Sequence, residues 1–212
     1  MRHKGRGRGS AIPQTGAAAT RREGWPGVAA AAFARLGADD GPIEIVEYDP
    51  GWPARYVAER ERLSPLLPGI PIHHIGSSAV RGLAGKAVID MIALVEDLDT
   101  SSSAVMQRAG YQLPAPFNAD LGHRRFLSYP TAIHRTHHLH LVDEREDMDQ
   151  CLRFRDSLRA DPKLAAEYVA LKRALAARYR EDRMGYTKAK SRFIIDASSQ
   201  APVATQPTRE GR

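Results

Sequence analysis

The stretch from His73 to Asp90 gathers residue types that can do chemistry. It reads His73-His74-Ile75-Gly76-Ser77-Ser78, then a small-residue turn with Gly82 and Gly85, then Lys86-Ala87-Val88-Ile89-Asp90. Gly76 allows close backbone approach, and Ser77, Ser78 and neighbouring N–H groups can hold phosphate oxygens. Lys86 adds a point charge for the same anion. Asp90 stands alone in an apolar run, where a carboxylate must be paired with a cation, donors or a metal that also touches phosphate. A plain tight turn, with Asp90 paired to Lys86 or to an arginine, is the alternative. The chain has no GxxxxGK[ST] loop.

A second cluster is His134-Arg135-Thr136-His137-His138-Leu139-His140, and seven of the eight histidines lie between positions 73 and 140. On a strand, His134, His138 and His140 share one face and His137 takes the other. Imidazoles two residues apart can bind a transition metal, donate to phosphate or accept a proton near neutral pH. HExxH is absent, Val142 interrupts a histidine triad, and the HRT at 134–136 has no second copy.

These residues need elements to hold them. Ile43–Tyr48 alternates as a strand, and Pro53 opens a helix running to Leu63–Leu67. Ile70–Ile75 and the apolar run Ala87–Val95 read as strands, the second buried on both faces. Ser101–Ala109 reads as a helix closed by Gly110, and Arg124–Tyr129 and Ile133–Val142 as two paired strands. The pattern is helical from Asp147 onward. Leu164, Tyr168, Leu171, Leu175 and Tyr179 form a core-facing stripe, and Tyr186–Ala197 makes a last helix. Strands followed by helices give an α+β domain on a small mixed sheet, with a helical C-terminal third.

The chain has 212 residues, 42% hydrophobic and 26% charged, which suits one globular domain. The net charge of +6 is mostly a property of the ends: residues 1–40 carry +4, 199–212 carry +1 and 41–198 carry +1. The first 40 residues are rich in Gly, Arg and Ala without apolar period, so they read as a disordered basic tail. Residues 199–212 read as a disordered C-terminal tail, and the folded domain spans 41–198. The near-neutral domain argues against nucleic acid as the partner. No apolar run is long enough to span a membrane, there is no secretory core, and lone Cys151 makes no internal disulfide, so a cytoplasmic location is expected.

With these motifs in order, the chain resembles the GrpB family of the nucleotidyltransferase superfamily. Its central motif, approximately HIGSTAVPGLxAKPIID, is matched from His74 to Asp90. Further matches are Tyr48-Asp49-Pro50-Gly51-Trp52-Pro53, Gly110-Tyr111, His138-Leu139-His140, Leu152–Arg159, Leu171-Lys172, Tyr186-Thr187, Lys190 and Phe193-Ile194. The resemblance implies a nucleotidyltransferase-like fold, a small mixed sheet flanked by helices, with the Gly-Ser turn cradling a triphosphate. It also implies Mg²⁺ or Mn²⁺ held by Asp90 with His138 or His140, and Lys86 as a catalytic cation beside Asp90. Gly76, Ser77 and Ser78 would seat the phosphates, with Arg155, Lys172, Tyr186 and Lys190 closing over the nucleotide. The expected activity is metal-dependent nucleotidyl transfer to an unidentified acceptor. The alternative is a catalytically inert module binding a nucleotide or a coenzyme A-like phosphate ligand. Active superfamily members carry Asp-x-Asp/Glu on the strand after Gly-Ser, whereas position 92 is Ile. Arg81 and Ala87 replace two family prolines.

Overall fold

A computed structural model describes residues 42–114, 118 and 121–200. The two expected tails lie almost wholly outside them. The described residues form a four-stranded mixed sheet with helices on both faces. In chain order the elements are α1 (Trp52–Leu63), β1 (Ile72–Ile75), β2 (Ile89–Leu94), α2 (Leu98–Ala109), β3 (Arg124–Pro130), β4 (Arg135–Val142), α3 (Arg145–Ala160), α4 (Pro162–Arg178) and α5 (Arg183–Gln200). The last helix therefore passes the expected boundary at 198. The sheet order is β1-β2-β4-β3, with β2 and β4 parallel and both edge strands antiparallel to their neighbours.

The alternation of side chains along each strand divides the chain's chemistry between two faces. Ile89, Met91 and Ala93 of β2, Leu139 and Leu141 of β4 and Leu127 of β3 point to one face. There they pack with Trp52, Leu63, Val105 and Ala109 of α1 and α2 in the main core. Ile92 and Val142 point the other way and pack with Ile75 and with Met148 of α3. Asp90, His138 and His140 share that second parity.

Local signals explain the helix boundaries. Pro53 lies in the first turn of α1. The Asp97 carboxylate accepts from the N–H groups of Asp99 and Thr100, so α2 begins three residues before the expected Ser101, and Gly110 closes it at φ +71°. The continuous helical pattern after Asp147 resolves into three helices. Asp161 caps α4 by accepting from Lys163 and Leu164, and Pro162 occupies its first turn. In the expected stripe, Tyr168 and Leu175 are buried and Leu164, Leu171 and Tyr179 pack beside them.

Two expectations are corrected. Ile43–Tyr48 is not a strand: only Val46 pairs, with Gly85. Its partner segment is a turn, so one bridge forms and no ladder follows, while Ile43 buries against Leu175, Ala176 and Tyr186 of the helices. His134 does not join the face of His138 and His140. It is exposed in the β3–β4 turn, where Thr131 Oγ1 accepts from its N–H at 2.8 Å, and β4 begins one residue later. No helix among the described residues is long and apolar enough to cross a membrane.

Candidate functional site: a cationic cavity beside Asp90

The second sheet face and the C-terminal helices enclose a cavity of about 210 Å³. Its floor is built by register. Asp90 stands opposite His138 across the parallel β2–β4 pair, and Ile92 opposite His140. The cross-strand position lets His138 Nδ1 meet Asp90 Oδ1 at 2.8 Å. The carboxylate can only accept, so Nδ1 carries the proton and Nε2 keeps a lone pair. That Nε2 is buried and has no hydrogen-bond partner among the described residues.

The Gly-Ser turn is held against this floor by two close approaches. Gly76 has φ +70°, and a Cβ there would lie 2.5 Å from Asp90 Oδ2. A Cβ on Gly85 would lie 2.5 Å from Ser77 Cβ. Glycine at both positions is what lets the 76–86 loop close over β2. Lys172 of α4 then donates from Nζ to Ser77 Oγ at 2.7 Å and to the Ala84 carbonyl. The loop is thereby tied to the helices.

Of the eleven expected site residues, nine line the cavity: Gly76, Ser77, Lys86, Asp90, His138, His140, Lys172, Tyr186 and Lys190. Two do not. Ser78 is buried, its hydroxyl 3.1 Å from His74 Nε2, because successive residues of the 3₁₀ turn Ser77–Ala79 point about 120° apart. Arg155 donates to the His74 carbonyl at 3.0 Å and pairs with Asp156, so it braces β1 from outside. Sequence reasoning missed Arg124, Arg135 and Arg183, which also line the cavity, together with Tyr168 and Phe126. Arg124 alternates with Phe126 along β3, a detectable pattern. What places it near His140 is the β3–β4 register, which spacing alone does not specify.

Among the described residues six lysine and arginine side chains thus line the cavity with one carboxylate, Asp90, and Arg124 also pairs with Asp147 at 3.6 Å. Their mutual influence shows in their acidities. Burial, then the charges of Lys86 and Lys172, bring Lys190 down to about 7. Burial, then Arg173, bring Lys172 to about 7. Burial also lowers Lys86. Burial opposes ionisation of Asp90, yet the His138 hydrogen bond, with Lys86 nearby, outweighs it and holds the carboxyl below its ordinary range. Burial keeps His138 and His140 neutral at pH 7, with values of about 4 and 3. Cys151 also lines the cavity, but burial pushes its thiol up to about 11, so it is no thiolate nucleophile. Lys190 Nζ lies 4.2 Å from the Tyr186 ring centre and Lys172 Nζ 4.6 Å from that of Tyr168, aromatic faces that partly compensate for lost water.

The expected metal ligands do not form a metal cage. Among the described residues no three His, Cys, Asp or Glu side chains converge as ligands. One oxygen of Asp90 is engaged by His138, the other lies against Gly76, and Ile92 is fully buried where a second carboxylate would stand. A two-ion site, with ions about 4 Å apart bridged by carboxylates, does not fit this donor set.

A mixed four-stranded sheet with this loop and cavity defines a class, and the comparisons give its family. Residues 42–200 match the GrpB protein family, and the chain belongs to it. A UPF0157 protein of Pseudomonas aeruginosa is 37% identical over 175 residues, covering 80% of this chain and 72% of its own. The crystal structure of the conserved protein GrpB from Enterococcus faecalis superposes with a TM-score of 0.64 at 30% identity, covering 74% of this chain and 95% of that one. A dephospho-CoA kinase of Mycolicibacterium paratuberculosis is 28% identical over 192 residues, covering 76% of this chain and 46% of that protein.

Proposed function

We propose that the cavity binds a phosphorylated small molecule by its polyphosphate end, a nucleoside triphosphate being the ligand class the Gly-Ser loop suits best. One observation carries this reading: Lys86, Lys172 and Lys190 all line a cavity in which Asp90 is the one carboxylate among the described lining residues, within a domain (41–198) whose net charge is only +1. Gathering like charges in a buried site is unfavourable without a compensating anion. The cavity is smaller than the usual 300–1,000 Å³ or so of ligand sites. It suits phosphoryl groups, with the remainder of the ligand at the mouth. Ser77, Lys86, Lys172 and Lys190 supply donors and charge, and Tyr168 and Tyr186 supply apolar walls.

The donor set around Asp90 favours the binding module over metal-dependent nucleotidyl transfer. A coenzyme A-like ligand is the second reading, supported by the similarity to a dephospho-CoA kinase. Thermal unfolding with ATP, GTP, CTP, UTP, coenzyme A and dephospho-coenzyme A tests both. A ligand at about 100 times its Kd adds about 2.7 kcal/mol, which moves the midpoint by several degrees. The expected shift is strong for one class and absent in a Lys86→Met, Lys190→Met double variant. An unchanged midpoint with all six compounds sinks the proposal.

A further inference from the structure

We propose that this cavity takes its phosphorylated ligand as the free polyanion, without a divalent cation, and that Lys86 and Lys190 supply the neutralisation a metal ion would otherwise give. The inference rests on the phosphate-ligand reading above and concerns the form in which that ligand binds.

The first support is the state of the carboxylate. A metal ion shared with phosphate needs at least one carboxylate oxygen directed at the ligand. Asp90 Oδ1 instead accepts from His138 at 2.8 Å, and Oδ2 sits where a Cβ on Gly76 would be 2.5 Å away. Among the described residues no second carboxylate lines the cavity: Ile92, the next position on the same face, packs in an apolar cluster with Ile75, Val142 and Met148. His138 Nε2 offers one lone pair, but among the described residues no third His, Cys, Asp or Glu joins Asp90 and the histidines as a ligand set.

The second support is the state of the lysines. Neither the Lys86 nor the Lys190 ammonium group has a hydrogen-bond or ion-pair partner in the described structure, and both line the cavity. They approach from different sides, Lys86 from the loop before β2 and Lys190 from α5, so an anion between them meets charge on two flanks. Each ammonium carries three donors and suits phosphate oxygens as a point charge. Lys172, bonded to Ser77 and Ala84, adds a third positive flank from α4. A dication entering this field would be repelled by the same groups that attract the anion.

The experiment is calorimetric titration of the full chain with inorganic tripolyphosphate and with ATP, each in EDTA and in excess Mg²⁺ or Mn²⁺. The expected result is saturable binding in EDTA that weakens several-fold when the metal neutralises the anion. Binding only when metal is present would overturn the inference and leave the phosphate-ligand reading standing. No binding in any condition would overturn both. Asp90→Asn separates the two chemistries further, since it keeps the hydrogen-bonding shape and removes the charge. Loss of the Asp90 charge should tighten metal-free binding roughly threefold or more. Binding in excess Mg²⁺ or Mn²⁺ that this variant loses, with an unaltered far-UV spectrum, would point to a metal ligand instead and overturn the inference. Lys190→Met should weaken tripolyphosphate binding about ten- to a hundredfold, the scale of one charge-assisted hydrogen bond. A Lys190→Met protein that binds like wild type would overturn the assignment of that residue.

Discussion

The two faces of the sheet handle polar groups in opposite ways. On the face covered by α1 and α2, the buried charge closes on itself. Glu59 is held by Arg62 through both oxygens, at 2.6 and 2.9 Å, and accepts from the Tyr111 hydroxyl at 2.8 Å. Arg62 also donates to the Ala109 carbonyl, the last residue of α2, and lies over the Tyr129 ring. Burial opposes the Glu59 charge, but these bonds more than offset it and its pKa is lowered. On the face covered by α3, α4 and α5, Asp90 alone answers the field of Lys86, Lys172 and Lys190 among the carboxylates described there. In the first arrangement both Glu59 oxygens and the Tyr111 hydroxyl are paired, and Arg62 joins α1 to α2. The second leaves the Lys86 and Lys190 ammonium groups without a hydrogen-bond or ion-pair partner among the described residues.

Trp52→Ala should break the closed face most severely. Trp52 is fully buried and packs edge-on against Tyr48 with ring centres 5.2 Å apart. Truncating a buried aromatic of this size costs about 3–5 kcal/mol. Urea unfolding would show the lost stability, while protein still folded should bind tripolyphosphate as before. A large change in affinity without a change in unfolding midpoint would mean that the two faces are not separable.

The cavity face should betray itself through pH. Lys172 and Lys190 sit at about 7 when folded, against about 10.4 in an unfolded chain. Between those values the unfolded chain holds more protons, so stability rises with pH across that window and is lowest near and below pH 7. Each lysine contributes at most about 1.4 kcal/mol per pH unit. Bound polyphosphate favours the charged ammonium groups, so it should flatten this slope and its binding should take up protons. Urea midpoints from pH 7 to 9, with and without tripolyphosphate, check the sign. An apo profile that falls with pH would contradict the charge arrangement described for the cavity.

Substituting single residues sharpens the contrast. Lys190→Met should raise apo stability by about 1 kcal/mol, because an apolar chain replaces a half-buried cation that has the Tyr186 ring but no ion-pair partner among the described residues. Glu59→Gln should lower it by about 1–2 kcal/mol, because Arg62 loses its charged acceptor in a part-buried site. Opposite signs for two charge removals, read from the same denaturation assay, are the signature of the two faces. A stability loss in both would show that Lys190 has a structural role.

How much of this was legible in sequence follows from the same division. Asp90 stood out because one carboxylate in Ala87–Val95 breaks an apolar run, and Gly76 stood out because a glycine before two serines marks a turn. The lysine positions in α4 and α5 came with the family resemblance. The resemblance also set Asp90 beside His138 or His140, but as metal ligands; the direct Asp90–His138 hydrogen bond was not legible, since 48 residues separate its members and only the parallel β2–β4 register brings them level. The arginines of the cavity were hidden for the same reason: each sits at the start of its element, and their convergence depends on how strands and helices pack. Ile43–Tyr48 shows the opposite failure. Its alternation is strand-like, but a strand needs a partner, and the turn at Gly85 provides only one bridge.

Asp161→Ala should give the smallest effect and the finest test of how α4 serves the cavity. The Asp161 side chain accepts from the Lys163 and Leu164 N–H groups at 2.8 and 3.1 Å, satisfying two donors that the helix itself cannot. Its loss should cost about 1 kcal/mol or less. Lys172 lies about three turns further along α4, where it is fixed by Ser77, Ala84 and the Tyr168 ring rather than by the cap. The urea midpoint should therefore fall slightly while tripolyphosphate affinity stays within about twofold. An affinity loss much larger than the stability loss would mean that the Lys172 contact depends on the whole of α4 and not on its local bonds.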